Sequence, residues 1–356
     1  MTMLLTARDF ATPAPLRSAR IVEGLAGEID DAAEAAVPTH RFLRQAWFAA
    51  ALHAYGGEAR TVLVENRKGV AAAVPLVRFG PKPAGIAAVP GCYWPMRSAP
   101  IAVHADNADL DRLLGGFARA TRGVRIGPVM DNDPLVVRLI PRARLAGWGV
   151  IERALGDSWR LPVPAEGAWP QPSTAKKNRW FETRLGEHGP LSVDMIGGAG
   201  WTPEALDRLA RIEAASWVGT DTDHADAKFV APGHAAFWRA AVADPVLATK
   251  VHAAILVLGE RDAAFTFGMD CGAGRHIIAN GFDPAFAAHS PGRVLAWRDL
   301  ALARARGIAE IDWGAGDSGY KRQFGAERGP ALRDWLLVRP GMAATAARAL
   351  GHVWRK

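Results

Sequence analysis

The chain of 356 residues predicts an α/β protein of two similar halves, each with a mixed, mostly antiparallel sheet flanked by helices. Three observations point there. The length suits two cores of ordinary domain size rather than one. Apolar residues alternate between helical and strand periods along the chain. The order helix, strands, helix, strand then occurs twice. With 49% hydrophobic and 22% charged residues, the composition is globular and excludes a disordered or fibrous chain.

Residues 1–19 are rich in Thr, Ala, Pro and Arg without periodicity and read as a loose arm before a strand near Ile21. Helical spacing of Phe42, Leu43, Trp47, Ala50, Ala51 and Ala54 predicts a helix from His40 to Tyr55. Strands are expected at Thr61–Val64, Val70–Val77 and Gly85–Val89, then a helix at Asp109–Thr121 and a strand at Val124–Val129. The second half follows with a helix at Pro232–Val242, strands at Val251–Leu258, Ala263–Asp270 and Arg275–Asn280, a helix at Gly292–Arg306 and a strand at Ile308–Trp313. Local similarity between the halves is weak, and chance likeness of two α/β units explains it nearly as well. The proline-rich segment 161–172 places the division between an N-terminal domain, 20–165, and a C-terminal domain, 166–340. The Ala-rich, basic tail 341–356 predicts an amphipathic helix that packs on the domain or touches a membrane surface.

No apolar run approaches the roughly 20 residues of a membrane helix. The N-terminus also lacks the ordered regions of a secretory signal, so the expected location is cytoplasmic, with the inner membrane face left open. Cys92 and Cys271 are too few for a disulfide framework and read as buried packing residues. The net charge of +7 is dispersed among carboxylates, with no basic stripe, so DNA is not an expected partner.

Four segments carry candidate chemistry. Ser290, Pro291, Gly292, Arg293 and Val294 open a helix, whose bare amides and dipole can hold a pyrophosphate, with Arg293 adding a charge; equally, they form an ordinary cap and first turn. The corresponding helix of the first half is preceded by Asp106 and Asp109, which would repel an anion, so only the second half is expected to be competent. From Asp312 to Lys321, Asp317 could deprotonate an acceptor, Tyr320 could protonate a leaving thiolate, and Asp312 and Lys321 could bind substrate, or all could form turns and ion pairs. Glu213 and Trp217 are spaced to share a helix face over Pro203–Trp217, making Glu213 the leading general base and Trp217 an acceptor contact, or Glu213 is an exposed residue paired with Arg208 or Arg211, which is commoner for a single helical Glu. Lys176 and Arg179, in the densest cationic cluster, could contact a phosphate or acidic glycan, or form a solvated face. The loop 218–229 has Asp and His residues but no metal-site spacing, so no metal is expected.

Taken in order, the basic helix Lys176–Leu185, Glu213 to Trp217, the loop Phe282-Asp283-Pro284, Ser290-Pro291-Gly292, and Asp312-Trp313-Gly314-Ala315-Gly316-Asp317 with Tyr320-Lys321 resemble the CelD/BcsL-like branch of the GNAT acyltransferase superfamily, related to the Fem-type aminoacyltransferases. The resemblance covers roughly residues 165–335 well and the first half loosely. It implies tandem GNAT-like domains, acetyl-CoA or another acyl-CoA as co-substrate, and a small-molecule or lipid-linked glycan acceptor in exopolysaccharide, cellulose or envelope assembly. The usual Arg/Gln-x-x-Gly-x-Gly/Ala turn is reduced here to Ser290-Pro291-Gly292-Arg293. Aminoacyl transfer from tRNA and a non-catalytic scaffold are the alternatives, with tRNA disfavoured by the absence of a recognisable gripping arm.

Overall fold

A computed structural model describes residues 18–92, 96–221, 227–316, 319–341 and 344–345. The first half runs β1 (Arg20–Glu23), α1 (Glu28–Glu34), α2 (Gln45–Tyr55), β2 (Ala59–Asn66), β3 (Gly69–Phe79), β4 (Ile86–Ala88), α3 (Asn107–Ala120), β5 (Gly123–Met130), α4 (Pro134–Leu145) and β6 (Gly149–Pro162). The second runs α5 (Pro172–Gly186), β7 (Leu191–Gly197), α6 (Pro203–Ala215), α7 (Trp217–Asp221), α8 (Pro232–Ala243), α9 (Pro245–Ala248), β8 (Val251–Leu258), β9 (Arg261–Cys271), β10 (Gly274–Phe282), α10 (Pro291–Ala305), β11 (Glu310–Ala315), α11 (Tyr320–Gln323) and β12 (Glu327–Val338). The arm 1–17 and most of the tail helix expected at 341–356 lie outside the described residues.

All strands join one 12-stranded sheet in the order β1-β2-β3-β4-β5-β12-β6-β11-β10-β9-β8-β7. The order is a palindrome of two six-strand units, with the last strand of each inserted beside the other. β12 pairs with β5 of the first half, and β6 pairs with β11 of the second. The two exchanged strands also pair with each other, from Glu327↔Arg160 to Val338↔Gly149. In each unit only one pairing is parallel, β4 with β5 and β10 with β11. The repeated order read from the sequence is therefore a real topological repeat, whereas the exchange, which depends on β6 and β12, was not foreseen.

A fully buried carboxylate marks the exchange. Asp334 on β12 accepts from Arg125 of β5 at 2.7–3.1 Å and from Arg153 of β6 at 2.9 Å, tying three adjacent strands together. Gly127 makes the close approach possible: its φ is +129°, and a Cβ there would meet the Arg333 carbonyl oxygen at 2.8 Å. Glycine alone tolerates both constraints.

On one face, α2 packs against α8. Trp47 meets Phe237 edge-on at 4.8 Å and Trp238 at 5.9 Å, and Trp238 meets Phe267 of β9 at 4.8 Å. These rings belong to a single core spanning both halves. Because Trp47 is fully buried, Trp47→Ala should destabilise the whole protein by about 3–5 kcal/mol, measured as a fall in urea midpoint. The two halves should lose stability in one transition rather than separately.

Candidate active site

β10 and β11 pair for only three residues, Gly274↔Glu310, Arg275↔Ile311 and His276↔Asp312. Beyond that point β10 bulges against β9 between Ile277 and Ala279, and β11 shifts register against β6 between Asp312 and Ala315. The neighbours part, leaving a wedge across which the two strands no longer pair, with the β11 carbonyls from Trp313 onward taken by Lys321 Nζ. A slender chain inserted there would lie between two strands that a closed sheet would pair directly.

At the mouth of the wedge stands the N-terminus of the 15-residue helix α10. Ser290 precedes it at φ 49° and ψ 55°, the only non-glycine residue with positive φ among the described residues. Such strain persists only where surrounding structure imposes it. The Ser290 hydroxyl makes no capping bond, while its carbonyl accepts from Arg293 and Val294 N–H at 3.0 and 3.2 Å. The Gly292 N–H donates to no group among the described residues. Pro291 and Val294 are buried, so their side chains support the turn from below. Arg293 reaches Asn178 of α5 at 3.1 Å and lies 5.6 Å over the Phe324 ring, with no carboxylate partner among the described residues. Burial lowers its pKa from the usual arginine range, and an anion would relieve that penalty. The turn thus combines an open amide, a helix dipole and a guanidinium that no carboxylate among the described residues neutralises.

The corresponding place in the first half is closed twice over. β4 and β5 also pair for three residues, but Arg97 then exchanges hydrogen bonds with β5, accepting from Gly127 N–H at 3.1 Å and donating to Pro128 O at 3.0 Å. Chain therefore fills the wedge. The N-terminus of α3 is sealed by a capping box between Asp106 and Asp109, whose carboxylates occupy the place an anion would take.

Tyr320 bridges the open wedge: its hydroxyl accepts from Asn280 Nδ2 of β10 at 3.3 Å. Burial pushes the phenol pKa above its ordinary 10, so it stays protonated and can donate. Asp312 is 3% exposed, and its Oδ1 accepts from Gly314 N–H at 2.7 Å. Burial raises its pKa above the ordinary carboxylate value, against the lowering pull of that amide and of Arg160. Lys176 and Arg179 are exposed on α5, which is fastened to α10 through Arg293–Asn178 and Arg298–Glu182. Both remain available to a ligand at this end of α10.

Three expectations change. Glu213 is buried, with Oε1 accepting from Lys228 N–H at 2.7 Å and Oε2 from Phe229 and Val230 N–H at 2.7 and 3.1 Å. A carboxylate so engaged holds a returning loop, with both oxygens already accepting from backbone amides. Helix α6 stops at Ser216, where ψ is 172°, so the expected shared face is broken and Trp217 is 56% exposed while Glu213 is buried. Lys321 is 5% exposed and donates to the carbonyls of Trp313, Gly314, Ala315 and Gly316 at 2.7–3.1 Å. It shapes the end of β11 instead of binding substrate. Asp317 and residues 222–226 of the Asp/His loop lie outside the described residues. Asn280 and Phe324 were missed because only the fold brings them to Tyr320 and Arg293.

Residues 173–322 match the sequence family described as an acetyltransferase (GNAT) domain. The match spans less than half of the chain and marks an acyltransferase-type domain in its second half. The fold is tandem GNAT-like. No curated protein sequence matches the chain significantly. Similar solved structures include FemX, with a TM-score of 0.62 and 11% identity over 93% of this chain and 100% of that one. The C-terminal domain of a putative lysylphosphatidylglycerol synthetase from Agrobacterium fabrum gives 0.50 and 14% over 90% and 97% of the two chains. L-PGS from Bacillus licheniformis gives 0.50 and 12% over 89% and 95%. At these identities the likeness is one of fold.

Near the wedge, His276 is buried, and burial, with Arg160 and His40 nearby, pushes its pKa down from 6.5 to about 4. Between those values the unfolded chain takes up a proton that the folded chain refuses, so stability falls as pH drops from about 6.5 towards 4. Urea unfolding of His276→Gln should lack a large part of this loss, a few kcal/mol at full extent.

Proposed function

We propose that the protein transfers an acyl group, most simply acetyl, from acyl-CoA to a sugar or glycan precursor, and that the donor site lies wholly in the second half. The carrying observation is the asymmetry between the halves: one open wedge beside one uncapped helix, against a closed wedge beside a sealed one. CoA would lay its pyrophosphate on the turn Ser290 to Val294, chiefly at the Gly292 amide and Arg293. Its pantetheine arm would enter between β10 and β11. Lys176 and Arg179 are placed to meet further phosphate or the acceptor.

Direct transfer from the thioester follows from this arrangement. The acceptor attacks the thioester carbon and gives up its proton to Asp317 or to solvent, the bond to sulfur breaks, and Tyr320 supplies a proton to the departing thiolate. We retain 20–165 and 166–340 as the division of the chain, with the first half contributing β6 to the sheet but no donor site. The CelD/BcsL-like resemblance supports an acceptor from exopolysaccharide or envelope assembly, which would place the protein at the inner face of a membrane. Among the described residues no helix is long and apolar enough to cross one.

CoA and acetyl-CoA should raise the melting temperature of the wild type, as ligands of the native state do. Gly292→Trp should abolish that rise, since a Cβ at Gly292 already meets Phe282 at 3.4 Å and a larger ring must occupy the turn. No rise in the wild type would remove the acyl-CoA assignment and move aminoacyl-tRNA or a scaffold role ahead. Tyr320→Phe should retain CoA binding but lower the transfer rate by about 10²–10⁴-fold, read in a thiol-release assay. Unchanged release would take the proton-donor role from Tyr320.

A further inference from the structure

Helix α5 is held to the protein by one side only. Its buried residues are Asn178, Phe181 and Leu185. The last two pack with Val294 and Leu295 of α10 and with Leu256 of β8, while Asn178 takes Arg293 at 3.1 Å. Trp180, in contrast, is 53% exposed. At 3.6 residues per turn, Lys176, Trp180 and Arg184 line up on the outward side as a ridge about 12 Å long, an indole between two cations. Lys177 and Arg179 flank that ridge, and all five side chains are exposed.

Positive charge is in excess along it. Glu182 is taken by Arg298 at 2.9 Å and Glu187 by Arg184 at 2.8 Å. Lys176, Lys177 and Arg179 have no carboxylate partner among the described residues. Arg184 lies 5.8 Å over the Trp180 ring and Lys177 5.8 Å over that of Phe181, so both rest on aromatic faces with their charged heads in water. A helix face built only to meet water gains nothing from an indole at its centre. A layer of anionic headgroups accepts both the ring and the cations. Shape points the same way: acidic polymers are followed by cationic grooves, whereas a flat surface meets a convex ridge along its length. The apolar side of α5 is already buried in the core, so contact stays at headgroup depth and is reversible and salt-sensitive.

We propose that the outward ridge of α5 docks the protein on an anionic lipid surface, with Trp180 among the headgroups and its neighbouring cations against lipid phosphates. The ridge lies on the reverse side of the helix from Asn178, which holds Arg293, so a docked lipid surface and the donor turn are separated by one helix diameter, roughly 10 Å. Docking gives the membrane location proposed above its contact surface and is independent of the acyl donor.

Co-sedimentation of the full chain with lipid vesicles tests this. At low salt the wild type should bind vesicles of equimolar phosphatidylcholine and phosphatidylglycerol but not those of phosphatidylcholine alone, and strong salt should release it. The double variant Lys177→Gln, Arg184→Gln should bind about 25-fold more weakly, at about fivefold for each cation removed. Trp180→Ser leaves the charge unchanged and should lose about tenfold, which separates a seated indole from charge attraction alone. Since these side chains are exposed, both variants should keep the wild-type melting temperature and its rise with CoA. No binding of the wild type to anionic vesicles, equal binding to neutral ones, or binding undiminished in either variant would overturn the proposal. Heparin binding that depends on Trp180, without vesicle binding, would assign the ridge to an acidic glycan instead. Anionic-vesicle binding that shows both losses, in a protein with no CoA shift, would leave the docking surface standing and remove the donor reading alone.

Discussion

The exchange of final strands is the constraint on which the rest of the molecule depends. Without β12, the edge of β5 would be open, and without β6, so would that of β11. Exposed strand edges are both unstable and prone to pairing elsewhere. By lending its last strand, each unit makes its own sheet complete only in the presence of the other. Asp334 enforces the arrangement, because its buried charge is compensated only while Arg125 on β5 and Arg153 on β6 flank β12. Removing either cation would leave a buried carboxylate short of partners.

The same exchange positions the candidate site. β6 fixes one side of β11, so the parting from β10 occurs on the other side and at a defined residue, Asp312. The first unit has the same frame, yet its wedge is filled through Arg97 and its helix capped by Asp106 and Asp109. Two copies of one topology thus differ at one place: β10 and β11 part after Asp312, whereas β5 is bridged to the chain at Arg97.

Three buried carboxylates show how environment separates roles that look alike in sequence. Glu213 is saturated by backbone amides and holds a loop. Asp334 is saturated by guanidinium groups and holds the strand exchange. Asp312 takes the Gly314 amide at Oδ1 and has Arg160 3.6 Å from Oδ2, and it links the end of β11 to β6.

The sequence by itself determined most element types, with α4, β6, β7 and β12 missed, their repeated order and the helix start at Ser290 to Val294, because hydrophobic period and local turn chemistry are encoded within a few residues. It also marked Tyr320 and Asp312 as candidates and the first half as unsuited to an anion, through Asp106 and Asp109. Only the tertiary structure decided that Glu213 and Lys321 are held by backbone groups, since their partners are set by how chain returns onto a helix or strand end. Tertiary structure alone also joined Arg160 to Asp312 across 152 positions of sequence through the pairing of β6 with β11. Strand pairing between distant segments leaves no local trace, and the open wedge exists only once that pairing is made.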